Sequence, residues 1–163
     1  MKDSEFKRLA HNVGDLKIAT SGVAVCEGYK PDITLTDKSG KLRYILECEQ
    51  KTDRKAFIGD LVKAEHLSQL EKARPTLLIV MREFDNTTVQ QISYQLEMYA
   101  KWLRDQFKNG IHLSGVWLMS DAAYVDSVLA GEVIGDLRFM KRVTTAVHDQ
   151  QAVAADGPKT GCG

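Results

Sequence analysis

The run from Thr76 to Met81 is the feature that most constrains the fold, because every residue after the threonine is apolar. Strands of this kind are covered on both faces, as in sheets that lie between helices. Apolar residues recur at helical spacing before the run, from Phe57 to Leu70, and after it, from Val89 to Phe107. The sequence therefore predicts an α/β domain in which this strand lies inside a sheet flanked by helices.

The residues before Phe57 predict one helix and three strands. Helical spacing indicates a helix from Ser4 to about Ile18, and short β-type runs indicate strands at Val23 to Val25 and at Ile33 to Leu35. Alternation predicts a third strand from Leu42 to Lys51. Short turns join these strands, which favours antiparallel pairing, whereas helices separate the later strands and favour parallel pairing.

The C-terminal half continues the pattern. Thr87 followed by Gln90 resembles a capping box for the second long helix. A fifth strand is predicted at Leu113 to Met119 and a short helix at Tyr124 to Leu129. The segment from Val133 to Val143 is compatible with irregular structure or with a last strand or helix.

Composition limits the classes of function. The chain has 163 residues, of which 22 are basic and 22 acidic, so it lacks the positive field of a sequence-independent DNA-coating protein. Residues 1–149 are predicted to form a single domain, and 150–163, which lack apolar periodicity, a disordered tail. No apolar window is long enough for a membrane span and no signal peptide is evident, so a cytoplasmic protein without a membrane partner is expected.

The strand from Leu42 to Lys51 carries the candidate functional residues. Alternation predicts that Leu42, Tyr44, Leu46 and Cys48 share one face and that Ile45, Glu47, Glu49 and Lys51 share the other. Charged side chains on a strand between helices have poor access to water, which favours a functional role over a solvated face. Because Pro31-Asp32 opens the preceding strand, Asp32, Glu49 and Lys51 are predicted to converge at one end of the sheet.

Two carboxylates and one ammonium group around a common point suit a divalent metal. Mg²⁺ or Mn²⁺ binds hard oxygen ligands and keeps several waters. Asp32 and Glu49 are predicted to hold the metal. Lys51 is predicted to orient or help deprotonate an attacking water and to offset charge on phosphorus.

These residues resemble the motif of the PD-(D/E)xK phosphodiesterase superfamily, which includes restriction endonucleases, junction resolvases and repair exonucleases. The match consists of Pro31-Asp32 and of Glu49-x-Lys51 on a strand with an apolar beginning. The resemblance implies a restriction-endonuclease-like mixed sheet with a core of helix, three strands, helix and strand. It also implies metal-dependent hydrolysis of a nucleic-acid backbone, with Glu5 as an additional acidic metal ligand on the first helix.

The motif can also be aligned with this strand in a second register. Glu47 lies on the same face as Glu49, and some members of the superfamily carry a second acid where lysine is usual. In that register Glu47 and Glu49 are the strand ligands, and Lys51 lies beyond the site. Asp32 belongs to the site in both registers.

The predicted function is a Mg²⁺-dependent endonuclease, with DNA as the expected substrate. Cleavage of both strands favours a homodimer, since one site cuts one strand, and the helix from Val89 to Phe107 is the expected interface. One alternative is a catalytically inactive nuclease-fold protein that binds nucleic acid or a protein partner. The other is a small α/β interaction domain whose charged strand is solvated.

Overall fold

A computed structural model describes residues 1–50, 53–108 and 110–147 of the chain. Its elements are α1 (Asp3–Phe6), β1 (Lys17–Ser21), β2 (Ile33–Thr36), β3 (Leu42–Glu49), α2 (Arg54–Leu70), β4 (Thr76–Met81), α3 (Val89–Gln106), β5 (Gly115–Ser120), α4 (Asp121–Leu129), α5 (Leu137–Met140) and β6 (Thr144–Val147). The strands form one open six-stranded sheet in the order β1-β2-β3-β4-β5-β6. The predicted α/β class is confirmed at this level.

Strand direction follows the connections. β1, β2 and β3 pair antiparallel and are joined by residues 22–32 and 37–41, with no helix between them. β4 and β5 run parallel to β3, as expected for strands joined by α2 and α3. β6 returns antiparallel to β5. The predicted mixed sheet is therefore correct.

Each face of the sheet packs against its own apolar cluster. One cluster lies beneath α2 and α3 and includes Phe57 and Leu96. The other contains Phe6, Tyr124 and Phe139 from the short helices on the opposite face. All six residues of β4 are buried between these layers, which confirms the prediction for Thr76–Met81.

The predicted helix from Ser4 to about Ile18 is wrong beyond its first turn. α1 ends at Phe6, and the later residues lead into β1. Gly14 has a φ of +57°, a left-handed conformation that interrupts a helix. The helical spacing arises from loop residues that pack into the cluster below the sheet, namely Leu9, Val13 and Leu16.

The strand predicted at Val23 to Val25 is also wrong. These residues lead into a turn that is closed by a hydrogen bond from the Val25 N–H to the Tyr29 carbonyl. The strand that pairs with β2 is Lys17–Ser21 instead. It lies at the sheet edge and is mostly exposed, so it lacks the apolar alternation that identifies a half-buried strand.

The face on which Leu42 lies and the position of the capping box differ from prediction. The pairing of β2 with β3 shifts between Leu35 and Thr36, and Leu42 packs in the cluster of Ile45 rather than in that of Tyr44. The capping box lies one residue later than predicted. It consists of Thr88 and Gln91, each of which accepts a hydrogen bond from the other's backbone N–H.

The segment from Val133 to Val143, whose sequence is compatible with irregular structure, a strand or a helix, contains the short helix α5. β6 follows it, in residues that show no apolar periodicity. Lys51 and the predicted tail lie outside the described residues. Among the helices in the described part of the chain, none is long and apolar enough to cross a bilayer.

Candidate active site

The register between β2 and β3 brings Asp32 and Glu47 together. Ile33 pairs with Leu46, so the residue before Ile33 lies beside the residue after Leu46. The Asp32 N–H donates to Glu47 Oε2 at 3.2 Å. The Cys48 N–H donates to Asp32 Oδ2 at 2.8 Å. Both acids are buried, and the carboxylate of each accepts a hydrogen bond from the backbone of the neighbouring segment.

Lys7 provides a cation beside this pair. It follows α1, and its Nζ lies 2.6 Å from Asp32 Oδ1. The hydrogen bond to Asp32 raises the pKa of Lys7, against a smaller opposing effect of burial. Since Cys48 and Lys7 bind one oxygen each, both oxygens of the Asp32 carboxylate have partners.

Glu47 is slightly more buried than Asp32. The Tyr29 hydroxyl donates to Glu47 Oε1 at 2.7 Å. Burial raises the pKa of Glu47 to about 7; the hydrogen bond from Tyr29 opposes this rise, and the negative charge of Asp32 adds to it. Glu47 can therefore exchange a proton near neutral pH.

Asp60 adds a third acid from α2. Glu47 and Glu49 lie two residues apart on β3, on the strand face that packs against α2. Asp60 is 6% exposed and is hydrogen-bonded to Glu49. Burial, followed by the charges of Glu47 and Glu49, raises its pKa to about 9. Its Oδ2 is buried and has no hydrogen-bond partner among the described residues.

Except for Lys7, these groups line a cavity of about 510 Å³ at the end of β3. Its acidic lining residues, among those described, are Asp3, Asp32, Glu47, Glu49, Asp53 and Asp60. Lys30 and Lys63 also contribute to the wall. The charge of the Lys63 ammonium group opposes the rise in the pKa of Asp60. The cavity thus combines many acidic side chains with few basic ones, a setting that favours the binding of positive charge.

The chemistry of this donor set suits Mg²⁺ or Mn²⁺. All the acidic ligands offer hard oxygen atoms, and one buried carboxylate oxygen of Asp60 is unpartnered. Within residues 1–50, 53–108 and 110–147, no three His, Cys, Asp or Glu side chains already converge as a metal site. Magnesium commonly binds one or two carboxylates and completes its coordination shell with water and phosphate. The acids of the cavity therefore fit the ion as part of its ligands, with water and substrate supplying the others.

Three of the predicted site residues meet in this cavity, namely Asp32, Glu47 and Glu49. Glu5 is exposed on α1 and accepts a hydrogen bond from the Lys2 N–H at 2.8 Å. Asp3, from the same helix, lines the cavity. Lys51, the remaining predicted site residue, is not among the described residues.

Three residues of the site are absent from the sequence prediction: Lys7, Tyr29 and Asp60. Lys7 and Tyr29 lie in segments whose sequence pattern gives no indication of where they meet the sheet. Asp60 does carry a signal, because it falls at helical spacing between the buried residues Phe57 and Ala64. An acid on the apolar face of a helix needs a partner or a function.

Comparison with protein-family models, with curated proteins and with solved structures finds no match to this chain.

Proposed function

We propose that this chain is a metal-dependent nuclease that hydrolyses phosphodiester bonds, with DNA as substrate and Mg²⁺ or Mn²⁺ as cofactor. The observation that carries the proposal is the hydrogen bond from the Asp32 N–H to the Glu47 carboxylate, between two acids that line the same acidic cavity. Two buried carboxylates that line one cavity from neighbouring segments of the chain suit a hard divalent cation.

The contact favours the register Glu47-x-Glu49 over Glu49-x-Lys51. Asp32 binds the backbone of β3 at Cys48 and lies beside Glu47, whereas Glu49 is one alternation further along the strand. In this register Asp32 and Glu47 hold the metal, and Glu49 occupies the motif position of the usual lysine. The element order from α1 to β4 is also the order that the restriction-endonuclease-like resemblance implies.

The chemistry divides between the cation and the side chains. A divalent ion held by Asp32 and Glu47 would supply Lewis acidity and would make the attacking water easier to deprotonate. Glu49 accepts a proton from the attacking water as the water oxygen bonds to phosphorus. Lys7 Nζ, near Asp32, offsets charge on the phosphate oxygens. The P–O bond to the leaving oxygen breaks, and that oxygen takes a proton from solvent, so one water is consumed for each bond.

The experiment is cleavage of plasmid DNA, single-stranded DNA and RNA with Mg²⁺ or Mn²⁺. Asp32→Asn keeps the size of the side chain and removes its charge, so cleavage should be abolished. Glu5→Gln is the matched control, because Glu5 is exposed and absent from the described lining of the cavity. Magnesium-dependent cleavage by purified Asp32→Asn at the wild-type rate would falsify the proposal.

The second candidate is the catalytically inactive nuclease-fold protein that binds nucleic acid or a protein partner. The ion pair between Lys7 and Asp32 favours it, because an internal ammonium group already balances the carboxylate that a metal requires. Binding of DNA with an affinity that does not respond to divalent metal, together with no cleavage, distinguishes this candidate from the nuclease.

A homodimer through α3 is part of the proposal. Tyr94, Met98 and Trp102 follow one another at four-residue spacing and are all more than half exposed. In an antiparallel pairing centred near Met98, Tyr94 of one copy meets Trp102 of the other. The same pairing brings Glu97 of each copy near Lys101 of the other, which gives two equivalent pairs of opposite charge. The surface is therefore complementary in charge to a second copy of itself.

A further inference from the structure

Lys7 binds the Asp32 carboxylate from outside the described lining of the cavity. Its Nζ lies 2.6 Å from Asp32 Oδ1. The charges of Asp3 and Glu47 add to the rise in the pKa of Lys7. Asp3, Asp32 and Glu47 all line the cavity, so the ammonium group of Lys7 interacts with the same acids that suit a divalent cation.

The chain that follows β1 leaves room for this ion pair. The Gly22 N–H donates to the Asp32 carbonyl oxygen at 2.7 Å. A Cβ atom at Gly22 would lie 3.3 Å from both Cε and Nζ of Lys7, and the φ of +60° at Gly22 favours glycine. The backbone beside Asp32 is therefore shaped to accept the Lys7 side chain.

Lys7 can leave Asp32 without disturbing the core. Its side chain is 30% exposed, whereas Phe6, the residue before it, is fully buried and fixes the end of α1. Rotation of the long side chain is enough to move the ammonium group away from the carboxylate. A divalent ion bound to Asp32 would lie close to Nζ, and two cations on one carboxylate repel each other.

We propose that Lys7 is a positioning residue that competes with the divalent cation for Asp32. Its ammonium group holds the carboxylate while the cation is absent, and it is released toward the substrate phosphate when Asp32 binds the cation. This inference rests on the proposed function and adds an order of events to it. Removal of the Lys7 charge should therefore change metal binding and cleavage in opposite directions, whereas a purely structural role would weaken both.

The first test is a Mn²⁺ titration of the full chain, with the free ion measured by electron paramagnetic resonance. Lys7→Met removes the charge and should bind Mn²⁺ roughly tenfold more tightly than wild type. At saturating Mn²⁺ the same variant should cleave DNA more slowly than wild type. Lys7→Arg is the matched control, because it keeps the charge and should bind Mn²⁺ as wild type does. An affinity of Lys7→Met equal to that of wild type, or weaker, would overturn the competition.

The second test is acetylation of lysines by acetic anhydride, followed by peptide mass spectrometry. An ammonium group in an ion pair reacts slowly, so the rate at Lys7 in wild type should rise several-fold when Mn²⁺ is added. Lys38 is the internal control, because its pair with Asp15 is exposed and should not respond to the ion. If wild type binds Mn²⁺ and the rate at Lys7 stays the same, Lys7 is not released and the inference is overturned.

The outcomes separate this inference from the proposed function. If wild type cleaves DNA with Mn²⁺ and Lys7→Met has the wild-type affinity, the competition is overturned and the proposed function stands. If Lys7→Met binds Mn²⁺ more tightly than a wild type that does not cleave, the competition stands and the proposed function fails. If neither protein binds Mn²⁺, the competition is overturned, and the cleavage assay decides the proposed function. Thermal melts without metal show whether each variant is folded; if Lys7→Met is not, the acetylation of wild type decides.

Discussion

At the scale of single residues, Asp60 should make stability depend on pH. The pKa of this buried acid is raised to about 9, so between its ordinary value and 9 the folded chain holds a proton that the unfolded chain releases. The free energy of unfolding therefore falls as pH rises through this window. Glu47, with a pKa of about 7, contributes in the same direction up to that pH.

Replacement of Asp60 by asparagine removes this dependence. Without metal, Asp60→Asn should melt close to wild type near pH 5 and several degrees above it near pH 8.5, because only in the wild type does unfolding release a proton that the folded chain holds. Melts in a chelating buffer at a series of pH values measure the difference. Equal slopes of melting temperature against pH in the two proteins would show that Asp60 is not held neutral by its surroundings.

The register of the motif is a second question at this scale. If Glu47 and Glu49 are the working acids, Glu47→Gln should slow cleavage at least a hundredfold, roughly 3 kcal/mol of transition-state stabilisation. Lys51→Ala should then alter mainly the salt dependence of DNA binding, as expected for a single phosphate contact. Cleavage rates and binding at several salt concentrations decide this. A mild Glu47→Gln with an inactive Lys51→Ala would restore the register Glu49-x-Lys51.

At the scale of elements, Glu65 joins α2 to the chain that enters β5. Its buried carboxylate accepts hydrogen bonds from the His112 N–H at 2.9 Å and from the Leu113 N–H at 3.1 Å. Gln69 Nε2 donates to the same carboxylate at 3.0 Å. Like Asp60, this acid lies on the buried side of α2, but donors surround it, so its role is to hold the elements together.

Glu65→Gln should therefore destabilise the fold. The glutamine amide presents an NH₂ group where the carboxylate presents an acceptor, so at least one buried donor loses its partner. The expected loss is about 1 to 3 kcal/mol in the free energy of unfolding, measured by denaturant titration. Glu71→Gln at the exposed C-cap of α2 should leave stability within about 0.5 kcal/mol of wild type. Equal stabilities for the two variants would contradict this role of Glu65.

The elements that the sequence predicted well are those whose burial pattern is set by their own residues. β4 and α3 are examples, because an uninterrupted apolar run and a strong helical period each leave few alternatives. β1 and the loop after α1 were mispredicted because tertiary contacts decide them. The edge strand gains its stability from pairing with β2, and the loop buries apolar residues that happen to recur at helical spacing.

The candidate site shows the same division. Asp32, Glu47 and Glu49 were accessible to sequence reasoning because strand alternation and a short motif place them. The choice between registers depends on which residues pair across β2 and β3, and the shift of register between Leu35 and Thr36 is not visible in either strand alone. Lys7 lies 25 positions before Asp32 in the printed sequence and meets it only through the tertiary fold.

At the scale of the whole molecule, the proposed homodimer makes a prediction about charge. Lys101→Glu should weaken the dimer, because an antiparallel pairing through α3 then sets two acids against each other on each side of the twofold axis. The double variant Glu97→Lys with Lys101→Glu should restore it, since opposite charges face each other again. Sedimentation velocity across a concentration series measures the association of the three proteins. A wild type that stays monomeric excludes this interface, and a double variant no better than the single one excludes the antiparallel arrangement.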